Sequence, residues 1–152
     1  MATDGERRPE ASVRVDHIGL SVGDIEAAAD FYARALDFER EFEFELPFDD
    51  VHGLMMLHPS GLRLELFERP GATPGIQGLA PREALATHGY GHFALTLGEG
   101  LDELYAELLS AGARGVKEPG QSPEPSIRMA FVADPEGNLI ELVERGPRPG
   151  SE

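Results

Sequence analysis

Two histidines and two glutamates occupy matching places in this chain, and their side chains could together hold a metal ion. His17 lies in Asp16-His17-Ile18-Gly19-Leu20-Ser21-Val22 and His92 in Gly91-His92-Phe93-Ala94-Leu95-Thr96-Leu97, 75 residues further on. Glu65 lies in His58-Pro59-Ser60-Gly61-Leu62-Arg63-Leu64-Glu65-Leu66. Its counterpart, Glu141, lies 76 residues later in Asp134-Pro135-Glu136-Gly137-Asn138-Leu139-Ile140-Glu141-Leu142. Side chains along a strand point alternately to opposite faces. Ile18, Leu20 and Val22 therefore share one face and His17 the other. The same holds for Phe93, Leu95 and Leu97 against His92, for Leu62, Leu64 and Leu66 against Glu65, and for Ile140 and Leu142 against Glu141. If the aliphatic rows lie under helices, the two His and two Glu share the remaining face. Its other residues are mostly apolar: Val13 and Val15 beside His17, Phe67 beside Glu65, Leu139 and Val143 beside Glu141. A carboxylate in such surroundings is costly unless it is paired or bound to a cation. Two imidazoles and two carboxylates form an N₂O₂ set suited to Zn²⁺, Ni²⁺, Co²⁺, Mn²⁺ or Fe²⁺. A lone histidine in an apolar strand is more often a hydrogen-bonded core residue, and a lone glutamate is more often solvated. Recurrence at duplicated positions is what favours the metal.

The elements around these residues repeat in the same order. Val13 to Val22 reads as a strand, Asp24 as an N-cap, and Ile25 to Leu36 as an Ala-rich amphipathic helix. Strands follow at 39–46, 53–58 and 62–68. In the second half, Tyr90 to Leu97 is a strand and Leu101 to Ala111 a helix closed by Gly112, with strands at 114–118, 127–133 and 138–144. Pro59-Ser60-Gly61 and Pro135-Glu136-Gly137 are hairpin-like turns. The expected fold is α+β, one domain of two tandem βαβββ modules (13–68 and 89–145) forming a curved mixed sheet around a metal site. A Gly- and Pro-rich linker, 69–88, joins them, with one helical turn at Pro81-Arg82-Glu83-Ala84-Leu85. The ends, 1–12 and 146–152, read as poorly ordered.

Composition removes other chemistries. The chain has 152 residues and no cysteine, which excludes disulfides, thiolate catalysis and cysteine-held zinc or iron–sulfur centres. Its net charge of −15, from 28 acidic and 13 basic residues, repels nucleic acid and anionic membrane surfaces. No apolar run reaches the ~18 residues of a spanning helix, and the first dozen residues carry no secretory signal, so a cytoplasmic location is expected. His52, His58 and His88 fall in turns or linker and read as surface residues. Glu41, Glu43 and Glu45 read as a solvated face, and Met55-Met56 as core. Arg63, Arg69 and Arg128 are the basic residues placed to reach a pocket and hold an anionic substrate. The Pro-rich loop from Gln121 to Ser126 could cover such a pocket. Gly89-x-Gly91 is too short to signal a phosphate cradle.

With paired βαβββ units carrying His and Glu at these places, residues 13–145 resemble the vicinal oxygen chelate superfamily. Its members include glyoxalase I, methylmalonyl-CoA epimerase, extradiol dioxygenases, fosfomycin-resistance transferases and bleomycin-binding proteins. The resemblance rests on His17-Ile18-Gly19-Leu20-Ser21-Val22-x-Asp24, Phe31-Tyr32, Gly91-His92 and Asp134-Pro135-x-Gly137-x-x-Ile140-Glu141-Leu142. It implies that His17, Glu65, His92 and Glu141 are the ligands, each of the type found in glyoxalase I. The epimerases typically place Gln at position 65. Extradiol dioxygenases use only the equivalents of His17, His92 and Glu141, so Glu65 argues against an iron-dependent ring-cleaving enzyme. Many glyoxalases place Arg four residues after the first His and Asn four after the second ligand. Ser21 and Arg69 stand there instead and argue against glutathione recognition. The superfamily often forms homodimers, and some members build each metal site across the subunit interface.

The activity this implies is that of a divalent-metal-dependent isomerase, epimerase or glyoxalase-like lyase acting on a small oxygenated substrate. It would move a proton at a carbon beside a carbonyl through a metal-stabilised enediolate. Glu65 and Glu141, one from each half, are the candidate catalytic carboxylates that take and return that proton. The alternatives are an iron-dependent dioxygenase and a non-catalytic drug- or metabolite-binding protein.

Overall fold

The structure, a computed structural model, describes residues 14–75, 81–86 and 88–146. The elements run β1 (His17–Ser21), α1 (Ile25–Leu36), β2 (Glu39–Glu45), β3 (His52–Leu57), β4 (Arg63–Glu68), α2 (Pro81–Ala84), β5 (Phe93–Leu97), α3 (Leu101–Ser110), β6 (Arg114–Gln121), β7 (Arg128–Ala133) and β8 (Leu139–Glu144). The strands form two four-stranded mixed sheets, ordered β1-β4-β3-β2 and β5-β8-β7-β6. In each, the first strand pairs parallel with the last, and the other neighbours are antiparallel. The duplication reaches fine detail. The β2–β3 register shifts between Arg40 and Phe42, and the β6–β7 register shifts at the corresponding place, between Gly115 and Lys117.

The helices form where the sequence says they should. Asp24 has extended backbone and its side chain accepts a hydrogen bond from the Ala27 N–H at 2.9 Å, as N-caps do. α3 starts after Gly100, which has a φ of 91° and offers no side-chain cap. Both helices gain a second anchor. The Glu68 carboxylate, at the end of β4, accepts from the Ile25 N–H at 2.8 Å, and Glu144, at the end of β8, accepts from the Leu101 N–H at 2.9 Å. Each carboxylate thus meets unpaired donors at the positive end of a helix.

The aliphatic rows lie under these helices. Leu64, Leu66, Ile140 and Leu142 are fully buried, and one core cluster joins them to Leu20, Ile25, Phe31, Tyr32, Leu101 and Leu108. The same cluster spans both halves of the chain. A polar joint adds to it. The Tyr32 hydroxyl on α1 donates to Asp134 Oδ2 at 2.6 Å, in the turn between β7 and β8. Asp134, 3% exposed, also accepts from the N–H groups of Glu136 and Asn138. The Glu136 carboxylate reaches across to the Gly23 and Asp24 N–H groups at 3.0 and 3.2 Å. Burial, with Asp134 adding to it, pushes the Tyr32 hydroxyl well above its ordinary pKa, so it remains a donor.

Some boundaries differ from those read in the sequence. The expected start of the first strand at Val13 lies outside the described residues. β5 starts at Phe93 and not at Tyr90, because Gly89, at φ 128°, turns the chain and Tyr90 is exposed. β6 runs on past Pro119 to Gln121. It lies at the sheet edge, where a residue without an N–H is tolerated. Val15 is 80% exposed and forms no apolar wall beside His17. Among the described residues, no helix is long and apolar enough to cross a membrane.

Removing the Tyr32 hydroxyl should expose how much the joint holds. Tyr32→Phe leaves a buried carboxylate short of one donor and is expected to cost about 1–3 kcal/mol. Urea unfolding should show a lower midpoint at unchanged slope. A midpoint equal to that of the wild type would mean that the joint contributes nothing.

Candidate metal centre

Each parallel strand pair brings one histidine to one glutamate. In the β1–β4 register Gly19 stands opposite Glu65. His17, at the start of β1, places Nε2 2.9 Å from Glu65 Oε2. His92, immediately before β5, places Nε2 2.9 Å from Glu141 Oε2. The carboxylates are mostly covered, with side-chain exposures of 19% for Glu65 and 21% for Glu141; the histidines are about one-third exposed. Each pair thus presents one nitrogen and one oxygen donor at a single point. The chemistry of this set suits a borderline or hard divalent cation.

The sequence leaves open whether the four side chains meet within one chain or across two, and within this chain they do not come together. Among the described residues, no group of three or more His, Asp or Glu stands close enough together to hold one ion. The reason lies in how the halves are joined. Their shared core consists of the helix-facing rows and contains none of Met55, Phe131, Leu139 or Val143, the buried residues of the His–Glu faces. The two pairs therefore stay on separate sheets.

The surroundings of the pairs differ. The His17 Nδ1 lies 2.7 Å from Asp16 Oδ2. This bond, with the nearby charge of Glu65 adding to it, raises the His17 pKa, and the same bond lowers that of Asp16. Among the described residues, no carboxylate stands behind His92; its ring stands edge-on to Phe131, 5.1 Å between centroids. On the first sheet, the rings of Phe42, Phe44 and Phe67 form a contiguous run on the Glu65 side, with centroids 6.0 and 5.8 Å apart. Phe44 lies across Gly53, so closely that a Cβ there would collide with the ring.

The candidate anion-binding arginines are all engaged by carboxylates. Arg63 makes a two-pronged contact with Glu41, at 2.8 and 2.7 Å, which holds the Glu41 pKa below its ordinary value. Arg69 pairs with Asp49 at 3.1 Å. Arg128 pairs with Asp102 at 2.8 and 3.1 Å and approaches Glu144 on the helix side of its sheet. Lys117 was not singled out in the sequence. It stands opposite Phe131, itself opposite Glu141, and its Nζ lies 3.4 and 3.5 Å from the Glu118 and Met129 carbonyls. Its status as the single lysine was the available signal, but the bulge that sets its register cannot be read from residue types. His52 pairs with Glu45, and His58 bonds within its own turn to Ser60. His88 is exposed. A groove of about 960 Å³ also runs between the halves, lined by Asp37, His58, Leu62, Leu95, Leu97 and Leu104 among others. None of the four His–Glu side chains lines it, so the groove is not the site expected on the strand faces.

Comparison with known proteins agrees with this fold. Residues 14–142 match the family described as Glyoxalase/Bleomycin resistance protein/Dioxygenase superfamily. A probable lactoylglutathione lyase of Vibrio cholerae is 28% identical over 145 residues, covering 86% of this chain and 90% of that protein. Among solved structures, a glyoxalase family protein from Bacillus cereus aligns with a TM-score of 0.72 at 24% identity, over 95% of this chain and all of the other. Glyoxalase I from Zea mays aligns with a TM-score of 0.71 at 23% identity, covering 90% of this chain. The chain spans 46% of the length of that maize protein. With the fold, the duplicated His–Glu pairs and the family match in accord, this chain belongs to the glyoxalase, bleomycin resistance protein and dioxygenase superfamily.

Proposed function

We propose that the protein is a divalent-metal-dependent lyase or isomerase of the glyoxalase type, working as a homodimer. The observation that carries this reading is the presence of two equivalent His–Glu pairs, each closed at 2.9 Å and each supplying half of an N₂O₂ set. His17 and Glu65 of one copy, with His92 and Glu141 of a second, would complete it. Zn²⁺, Ni²⁺, Co²⁺ or Mn²⁺ suits these donors. The relatives named as lactoylglutathione lyases support the same class of reaction.

When bound, the metal supplies a Lewis acid that polarises a substrate carbonyl and stabilises charge developing on its oxygen. The rest falls to the chain. A carboxylate, Glu65 or Glu141, takes a proton from the carbon beside that carbonyl, and a carboxylate returns one to the neighbouring position or the opposite face. With one Glu from each half, the carbon can be flanked from both sides, which suits isomerisation or epimerisation. The aromatic run of Phe42, Phe44 and Phe67 offers the substrate's organic portion an apolar bed. Arg69 is held by Asp49, and Ser21 is too short and uncharged to clasp a carboxylate, so glutathione has no evident clamp on this side. A carboxylate ligand at position 65 also fills a place that a ring-cleaving oxygenase would leave open.

Metal analysis of untagged protein purified without chelator should find near-stoichiometric Ni, Zn, Co or Mn. A Glu65→Gln variant should hold it about 10-fold or more weakly. Iron retained by the variant would favour the oxygenase. Absence of metal in both, with none taken up on reconstitution, would leave a non-catalytic binding protein.

In deuterated water, the metal-loaded protein should introduce deuterium at the carbon beside the carbonyl of a turned-over 2-hydroxyketone. Glu141→Gln should slow this by a factor of about 100 or more. Turnover with no solvent deuterium and no loss of rate in Glu65→Gln would remove the proton-transfer mechanism.

A further inference from the structure

We propose that Asp16 is a positioning residue, holding the His17 ring from behind and making His17 and Glu65 the stronger metal-binding half. The inference rests on the metal site proposed above and adds an unequal division of labour between its halves. The Asp16 carboxylate meets His17 Nδ1 at 2.7 Å while Nε2 faces Glu65 at 2.9 Å. With a metal on Nε2 the ring's remaining proton would sit on Nδ1, where the Asp16 carboxylate stands to accept it. A carboxylate behind a ligating histidine also raises the ring's donor strength and fixes its orientation.

The duplicated half provides an internal comparison. Gly91 stands where Asp16 stands in the first half. Among the described residues, His92 Nδ1 has no hydrogen-bond partner, and the ring is located by its edge contact with Phe131. His92 is therefore placed by packing alone, whereas His17 is placed and electronically set. Asp16 has little other work. Its side chain is 75% exposed, and an exposed pair of this kind adds little to folding. Neighbouring Arg63 is already bound two-pronged to Glu41. Gly91 has open space where a Cβ would go and no left-handed backbone, so a carboxylate can be installed there without strain.

Co²⁺ affinity of the full-length chain, measured by competition with a chromogenic chelator, tests this in the wild type, Asp16→Ala, Asp16→Asn and Gly91→Asp. Asp16→Ala should bind Co²⁺ about 10–100-fold more weakly. Asp16→Asn, whose amide oxygen still accepts from Nδ1 but carries no charge, should fall between the two. Gly91→Asp should bind more tightly than wild type. A wild type that binds Co²⁺ together with an Asp16→Ala variant within about twofold of it would overturn the role of Asp16 and leave the metal site standing. A wild type that binds no Co²⁺ would overturn the metal site, and this inference with it.

Discussion

Burial of one face of each central strand governs everything else in this molecule. Leu64, Leu66, Ile140 and Leu142 are completely covered by the helices, and each such side chain stabilises the fold by about 1.5–3 kcal/mol. Strand alternation then leaves Glu65 and Glu141 no choice of face. A one-residue slip of β4 or β8 would send the carboxylate into the core and the leucines into water. The hydrophobic register is thus what aims the polar chemistry. Glu68 and Glu144 show the same logic at the strand ends, where a carboxylate on the helix side is welcome because unpaired N–H groups await it.

That logic explains what was legible in the sequence. Period-two alternation identified the faces, and the repeated His and Glu positions identified the pairs, because both depend on neighbours close in the chain or on the duplication itself. Asp24 was readable as a cap for the same reason. Relations set by packing between distant segments were not. Nothing in the spacing of His17 and His92 says whether two sheets joined through their helix faces will bring those side chains together. Arg63 looked available for a substrate, since Glu41 lies in another strand and reaches it only through the bulge near Phe42. The Tyr32–Asp134 bond joins residues 102 apart in sequence. The Tyr is an ordinary helix residue, and the Asp an ordinary turn residue, until the halves dock.

The duplication is close in backbone and loose in chemistry. Both halves carry the bulge, the strand-end carboxylate and the His–Glu pair. Yet Asp16 is matched by Gly91, Phe42 by Lys117, and Tyr32 by Leu108. Symmetry is kept in the hydrogen-bond ladders, the core packing and the His–Glu pairs, and is broken at these other side chains on the open side and at the joint. On one flank the halves are bonded through Tyr32, Asp134 and Glu136. On the other, His58 and Ser60 stop short and a groove remains.

The contact between Phe44 and Gly53 has a consequence for how this sequence can change over time. The ring occupies the space of the missing side chain, so position 53 is closed to a side chain while the Phe44 ring keeps its place. A lineage that replaces Gly53 must first or simultaneously shrink Phe44. One that loses the ring opens a gap over β3, and a Cβ at position 53 can then be accepted. Among descendants the two positions should drift as a linked pair, and the apolar wall beside Glu65 should be remodelled in paired steps across two strands.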